Sequence, residues 1–278
     1  MIRYPVEARD MLDLYLDREF DRYARLPLDP AMRWDITAED IRIRERDWQD
    51  WSDLYLFKKQ WDLEELWYRI VSHRTRISQD IEYRRFNIMT AFAKMGNVLV
   101  LNPGQQVSYL HDIDYDEWPR INYRYGLSII GDDEIMDYGG GICGSSTAIY
   151  QGILTNTALE ITRQRNHTRW YSNLYPAVIN GEQISTPGID SALYWPILDL
   201  EFHNTRDYPV IIVANYDGSL GGTEEVFSLA REEDRGSFEF VGSRHTSTTI
   251  GSGQVLFGWC YTRMINGQQK MSCYRKVE

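Results

Sequence analysis

The 278-residue sequence predicts an α+β protein: a helical N-terminal extension, then a mixed core in which a cysteine-bearing helix packs on a mainly antiparallel sheet. Three observations carry this expectation. Apolar residues recur at helical spacing through the first 80 positions, and from Val98 the texture changes to short strand-like runs. A glycine run at 139–141 then delivers a cysteine to the start of a further helical stretch. The expected segments are a Trp-rich helical extension over 1–80, a central domain over 81–235 and a C-terminal β-hairpin segment over 236–278.

Each element has its own signal. Met11, Leu14, Tyr15, Phe20 and Tyr23 give Val6 to Leu26 an apolar side, and Pro27 and Pro30 end it. Thr37-Ala38-Glu39-Asp40 resembles an N-cap with an acidic residue at its third position. Trp34, Trp48, Trp51, Trp61 and Trp67 fall in this region, where they suit helices packed on a neighbouring domain or a surface that stacks on glycan rings. A helix is expected over Ile77 to Met95, with Phe86, Met89, Phe92 and Ala93 inward. Val98 to Leu101 reads as a strand, Asn102-Pro103-Gly104 as a turn and Gln105 to Leu110 as a second strand. His111 to Pro119 is acidic and loop-like, Ser145 to Leu159 helical, and the chain from Thr162 onward stranded, including Pro209 to Asn215.

Composition excludes several function classes. The formal net charge of -11 opposes a phosphate backbone, and no basic stripe offsets it, so nucleic acid is not an expected partner. No run approaches the roughly 20 apolar residues of a membrane-spanning helix. Met1 to Asp10 lacks the basic-then-apolar plan of a signal peptide, so any leader or anchor is not in this sequence. No cofactor is expected. No metal is expected either, since no His/Cys pair has ligand spacing, and Asp132-Asp133-Glu134 with Asp137 lacks the EF-hand pattern.

Three cysteines are present. Cys260 and Cys273 flank Asn266-Gly267, the preferred two-residue hairpin turn, in which both positions take positive φ. Counting outward from Ile265 opposite Gln268 places Cys260 opposite Cys273, at a non-hydrogen-bonded site where Cα atoms lie about 4.5 Å apart. That separation admits a disulfide. The alternative is two reduced thiols that happen to face each other. A disulfide implies an oxidising, extracytoplasmic setting and leaves Cys143 as the single free thiol.

Cys143 stands in the segment with the strongest chemical signal, Asp137-Tyr138-Gly139-Gly140-Gly141-Ile142-Cys143-Gly144-Ser145. Consecutive glycines permit backbone shapes closed to other residues and allow close approach to a ligand, so Gly139, Gly140, Gly141, Gly144 and Ser145 are candidate ligand-binding residues. A thiol at a helix N-terminus feels the positive end of the helix dipole, which favours thiolate. A nucleophile needs a base and the base an orienting group. His167, in Asn166-His167-Thr168, and Asp190, in Gly188-Ile189-Asp190, follow in the order used by transglutaminase-like thiol enzymes. The candidate catalytic set is therefore Cys143, His167 and Asp190. Each also has a purely structural reading: a small buried hydrophobe under a tight turn, a histidine satisfied by a carbonyl, and a turn-capping aspartate. His203 reads as structural.

An ordered series of motifs adds a family resemblance. Arg85-Phe86-Asn87-Ile88 leads to Gly96-Asn97-Val98-Leu99 and Asn102-Pro103-Gly104-Gln105-Gln106-Val107-Ser108. Gly139-Gly140-Gly141-Ile142-Cys143, Ser146-Thr147-Ala148-Ile149-Tyr150, Leu159-Glu160-Ile161 and Arg165-Asn166-His167-Thr168 follow. Pro187-Gly188-Ile189-Asp190-Ser191-Ala192-Leu193-Tyr194 and Asp199-Leu200-Glu201-Phe202-His203-Asn204-Thr205 close the series. From Arg84 to about Leu229 the chain resembles the VanW family, linked by name to vancomycin resistance. Gly144 departs from the family pattern, which usually has Gln after the cysteine. The resemblance implies a cell-envelope setting, with peptidoglycan or an envelope protein as partner, and names no reaction. Two functions are expected on these grounds. The first is an accessory or ligand-binding module near peptidoglycan. The alternative is a thiol-dependent acyl transferase or amidase acting on peptidoglycan stems or envelope protein.

Overall fold

A computed structural model of the chain describes residues 68–76, 82–95, 98–114, 122–130, 133–169, 177–179, 182–184, 189–216, 223–249 and 254–277. In chain order the first elements are β1 (Tyr68–Arg76), α1 (Glu82–Met95), β2 (Val98–Leu101), β3 (Gln106–Ser108) and a π turn over Tyr109–Ile113. The hairpin of β4 (Tyr125–Ile130) and β5 (Asp133–Tyr138) precedes α2 (Cys143–Ile153). Then come β6 (Leu159–Arg163), β7 (Ala177–Ile179), β8 (Glu182–Ile184), β9 (Glu201–Asn204), β10 (Val210–Tyr216) and β11 (Thr223–Ala230). The last three strands are β12 (Phe238–Thr249), β13 (Val255–Ile265) and β14 (Gln268–Val277). The fold is α+β with a majority of strand, and the pairs formed among the described strands are antiparallel.

The central sheet has the order β1-β11-β10-β2, and α2 lies against it. This helix is buried on all sides from Gly144 to Ile153, as an apolar and small-residue helix between two layers must be. Gly152 sets its approach to the sheet: a Cβ there would stand 2.7 Å from Val226 Cγ1. Ser228 on β11 donates to the Gly152 carbonyl at 2.9 Å, which ties strand to helix at the same point. Ile88 and Phe92 of α1, Ile149 and Ile153 of α2, Phe202 of β9 and Ile212 of β10 fill the core.

Several expectations change. Tyr68–Arg76, inside the stretch expected to be helical, is a strand paired with β11. Its β-branched Ile70, Val71 and Thr75 suit an extended backbone. The remaining N-terminal expectations, including the five tryptophans, lie outside the described residues, as do the Pro187-Gly188 turn and Asp132. The strand expected over Gln105 to Leu110 stops at Ser108. There the Ser108 side chain accepts from His111 N at 3.2 Å and Asp112 accepts from Ser108 N at 2.6 Å, turning the chain into the π turn. The helix expected over Ser145 to Leu159 runs from Cys143 to Ile153. Past its end the helical ladder is broken: Asn156 N bonds Ile153 O at 3.0 Å and Thr157 N donates to Asp234 O at 2.9 Å, while the carbonyls of Leu154 and Thr155 are taken by Asn266 Nδ2 at 3.1 Å and Gly236 N at 2.7 Å.

The C-terminal hairpin has the expected register. Ile265 faces Gln268, Cys260 faces Cys273, and Asn266 and Gly267 take φ of 51° and 76°. Cys260 and Cys273 form a disulfide, with Cα atoms 4.0 Å apart. The sequence leads to the expectation that this hairpin extends or closes the central sheet, and it does neither. It acquires β12 and forms its own sheet, β12-β13-β14.

Candidate active site

The glycine turn is shaped by what surrounds it. Asn87 of α1 is buried and donates from Nδ2 to the carbonyls of Gly140 (2.9 Å) and Arg124 (3.0 Å), while its Oδ1 accepts from Arg124 N at 2.7 Å. Gly139 and Gly141 take φ of 84° and 88°. A Cβ on Gly140 would meet the Gly126 carbonyl carbon at 2.4 Å, and one on Gly141 would meet Arg84 Cγ at 2.4 Å. The space that the glycines leave is thus occupied by β4 and α1, and this clamp sets Cys143 as the first residue of α2. Gly144 N and Ser145 N donate to the carbonyls of Gly141 and Ile142, each at 3.0 Å. The Ser145 hydroxyl bonds Ile142 O at 2.7 Å and the Tyr109 hydroxyl at 2.6 Å.

An extended strip, 189–193, runs along α2 in the opposite direction. Gln151 Nε2 donates to Ile189 O at 2.7 Å, and Ser146 Oγ donates to Ser191 O at 2.8 Å. Thr147 Oγ1 accepts from Ser191 N at 3.0 Å, and Cys143 Sγ accepts from Leu193 N at 3.3 Å. Odd positions of the strip therefore face the helix. Period-two alternation turns the even ones the other way, toward residues 164–167. There Ala192 N donates to Arg165 O at 2.7 Å, and Gln164 Nε2 donates to Asp190 O at 2.6 Å. The polar side chains of the buried helix are what hold the strip.

On that second flank Asp190 meets His167. Oδ2 of Asp190 is 2.5 Å from His167 Nδ1 and accepts from His167 N at 2.8 Å. Its Oδ1 accepts from the Tyr274 hydroxyl. Asp190 is 4 % exposed. Burial alone would raise its pKa, but the hydrogen bonds and charge of His167, with the Tyr274 hydrogen bond, outweigh burial and hold it below the usual carboxylate value. Tyr274 is pushed up, first by burial and then by the Asp190 charge, so it keeps its proton and stays a donor. Tyr150 of α2 is raised to about 12 by burial, against the Arg263 charge and with that of Asp190.

The sequence candidates thus fall around one strip. His167 and Asp190 are brought into direct contact, and Cys143, half-buried, is held by the same strip at Leu193, three residues past Asp190. Tyr274 was not among the candidates. Hairpin alternation places it on the face opposite Cys273, but nothing in the sequence says what that face touches. His203 lies 3.5 Å from Glu160 across β9 and β6, an interstrand contact. Among the described residues no cluster of three or more His, Cys, Asp or Glu could hold a metal ion, and no helix is long and apolar enough to cross a membrane.

A family model described as VanW like protein matches residues 83–222, a segment that contains Cys143, His167 and Asp190 and ends before the disulfide and Tyr274. No curated protein and no solved structure matches the chain.

Proposed function

The chain belongs to the VanW family, and from that premise we propose that it is a thiol-dependent acyl-transfer or amide-cleaving enzyme of the cell envelope. The observation that carries this reading is the buried Asp190 carboxylate on His167 Nδ1, with the Cys143 sulfur held on the same strip at the start of α2. A carboxylate on Nδ1 leaves Nε2 as the nitrogen that exchanges protons with the thiol.

In this reading His167 Nε2 takes the Cys143 proton and the sulfur adds to the carbonyl carbon of an amide. The tetrahedral adduct collapses as the C–N bond breaks, and the imidazolium gives its proton to the departing amine. An incoming amine or water then attacks the thioester, passes its proton to His167 and releases Cys143 as thiolate. Asp190 stabilises the imidazolium and keeps its tautomer throughout. Peptidoglycan stem peptides or envelope proteins are the proposed substrates. The Cys260–Cys273 disulfide supports an oxidising, extracytoplasmic location.

A second reading, an accessory or ligand-binding module without chemistry, is favoured by Gly144, which stands where the family pattern usually has Gln. Iodoacetamide labelling of Cys143 at pH 6, followed by intact mass, separates the two. The enzyme reading expects labelling at least about tenfold faster than free cysteine, slowed by His167→Ala. Labelling at the rate of an ordinary thiol, indifferent to His167→Ala, would sink it and leave the binding module.

A further inference from the structure

We propose that Tyr274 is a positioning residue of this site: the C-terminal sheet delivers its hydroxyl to Asp190 Oδ1 and so fixes the carboxylate that holds His167. The inference rests on the thiol-enzyme reading above, and it adds to that site a residue from outside the segment matched by the family model.

The argument begins with the two oxygens of Asp190. Oδ2 takes both donors of His167, its ring Nδ1 and its backbone N. If Oδ1 had no strong donor, the carboxylate could rotate and exchange its oxygens, and the imidazole would lose a fixed partner. The Tyr274 hydroxyl occupies that position. A neutral donor suits the task. It stabilises the carboxylate without competing with the imidazolium for its charge.

Tyr274 is itself held in place. The residues on either side of it grip the residues on either side of His167: Cys273 O accepts from Asn166 Nδ2 at 3.2 Å, and Arg275 N donates to Thr168 O at 2.9 Å. The disulfide of Cys273 joins β14 to β13 immediately beside this clasp. Tyr274 then points inward with Ser272 on β14 and with Tyr261 and Arg263 on β13, while Cys273 lies on the opposite face. Arg263 is 1 % exposed and donates from Nη2 to Ser272 Oγ at 2.7 Å. The charged or titratable groups bearing on the Asp190–Tyr274 contact are therefore His167 from the segment after β6, Tyr150 from α2 and Arg263 from β13.

The test reads Asp190 through the imidazole. The downfield His167 Nδ1–H proton resonance, assigned by its loss in His167→Ala, is followed as the pH falls and Asp190 takes up a proton. Tyr274→Phe removes one oxygen and is expected to move the midpoint to higher pH. Site-specific 3-fluorotyrosine at position 274, a more acidic donor of nearly the same shape, is expected to move it to lower pH. That second protein decides the matter if Tyr274→Phe fails to fold. An unmoved midpoint overturns the positioning role, because a residue that merely packed would not shift this titration in opposite directions. Cys143 labelling on the same samples separates the two claims. Fast wild-type labelling with an unmoved midpoint removes only Tyr274, whereas ordinary wild-type labelling overturns the thiol site itself.

Discussion

Asp190→Ala removes the acceptor of three hydrogen bonds at once: two from His167 and one from Tyr274. Tyr274 is 5 % exposed, so its hydroxyl would be stranded away from water, and the half-buried His167 would lose both hydrogen bonds to the carboxylate. Each stranded donor costs about 1–3 kcal/mol. Relief of the carboxylate's own desolvation offsets part of this, which leaves a net loss of about 3 kcal/mol. Asp190→Asn retains the shape and one acceptor oxygen, so its loss should be about half as large, ~1–2 kcal/mol. Urea unfolding followed by circular dichroism, with the disulfide intact, measures both. The ordering also depends on pH. The folded pKa of Asp190 is depressed, so its contribution is fully present above the ordinary carboxylate value and is lost as pH falls through the lower folded one. The gap between wild type and Asp190→Ala should therefore close on acidification below about pH 4. Equal losses under about 0.5 kcal/mol for both variants, or a gap that widens in acid, would refute the account.

Two further outcomes follow from other parts of the fold. Gly140→Ala should destabilise by about 1–3 kcal/mol, because its Cβ would overlap the Gly126 backbone, which cannot swing away. Gly104→Ala, at φ +74° with nothing within 4 Å, should lose only the ~1 kcal/mol of a left-handed alanine; thermal melts that reverse this order would contradict the packing. Replacing both Cys260 and Cys273 by serine opens a loop of sequence separation 13 and should lower unfolding free energy by about 2–3 kcal/mol, with no change in the urea midpoint refuting it.

The parts of this protein that could be read from the chain alone are those governed by local geometry. Asn266-Gly267 selects one turn type, that turn selects one register, and the register places Cys260 opposite Cys273. The start of a helix at the glycine-framed Cys143 is local in the same sense. The pairing of His167 with Asp190, 23 residues apart, was suggested by residue type and order, and the strip along α2 brings it about.

Tertiary structure decided the rest. Whether Tyr68–Arg76 is helix or strand depended on the edge of β11 being open to it, some 150 residues further along the chain. Just past the end of α2, Thr157 N donates to Asp234 O and Asn266 and Gly236 take the next carbonyls, all partners from far along the chain. What stands beside the glycine run, the Gly126 backbone, Arg84 and Asn87, is likewise brought there by tertiary packing. Tyr274 lies 84 residues from Asp190. Such a contact has no sequence period, since it exists only where two separately formed layers meet, and its partner is set by how they dock.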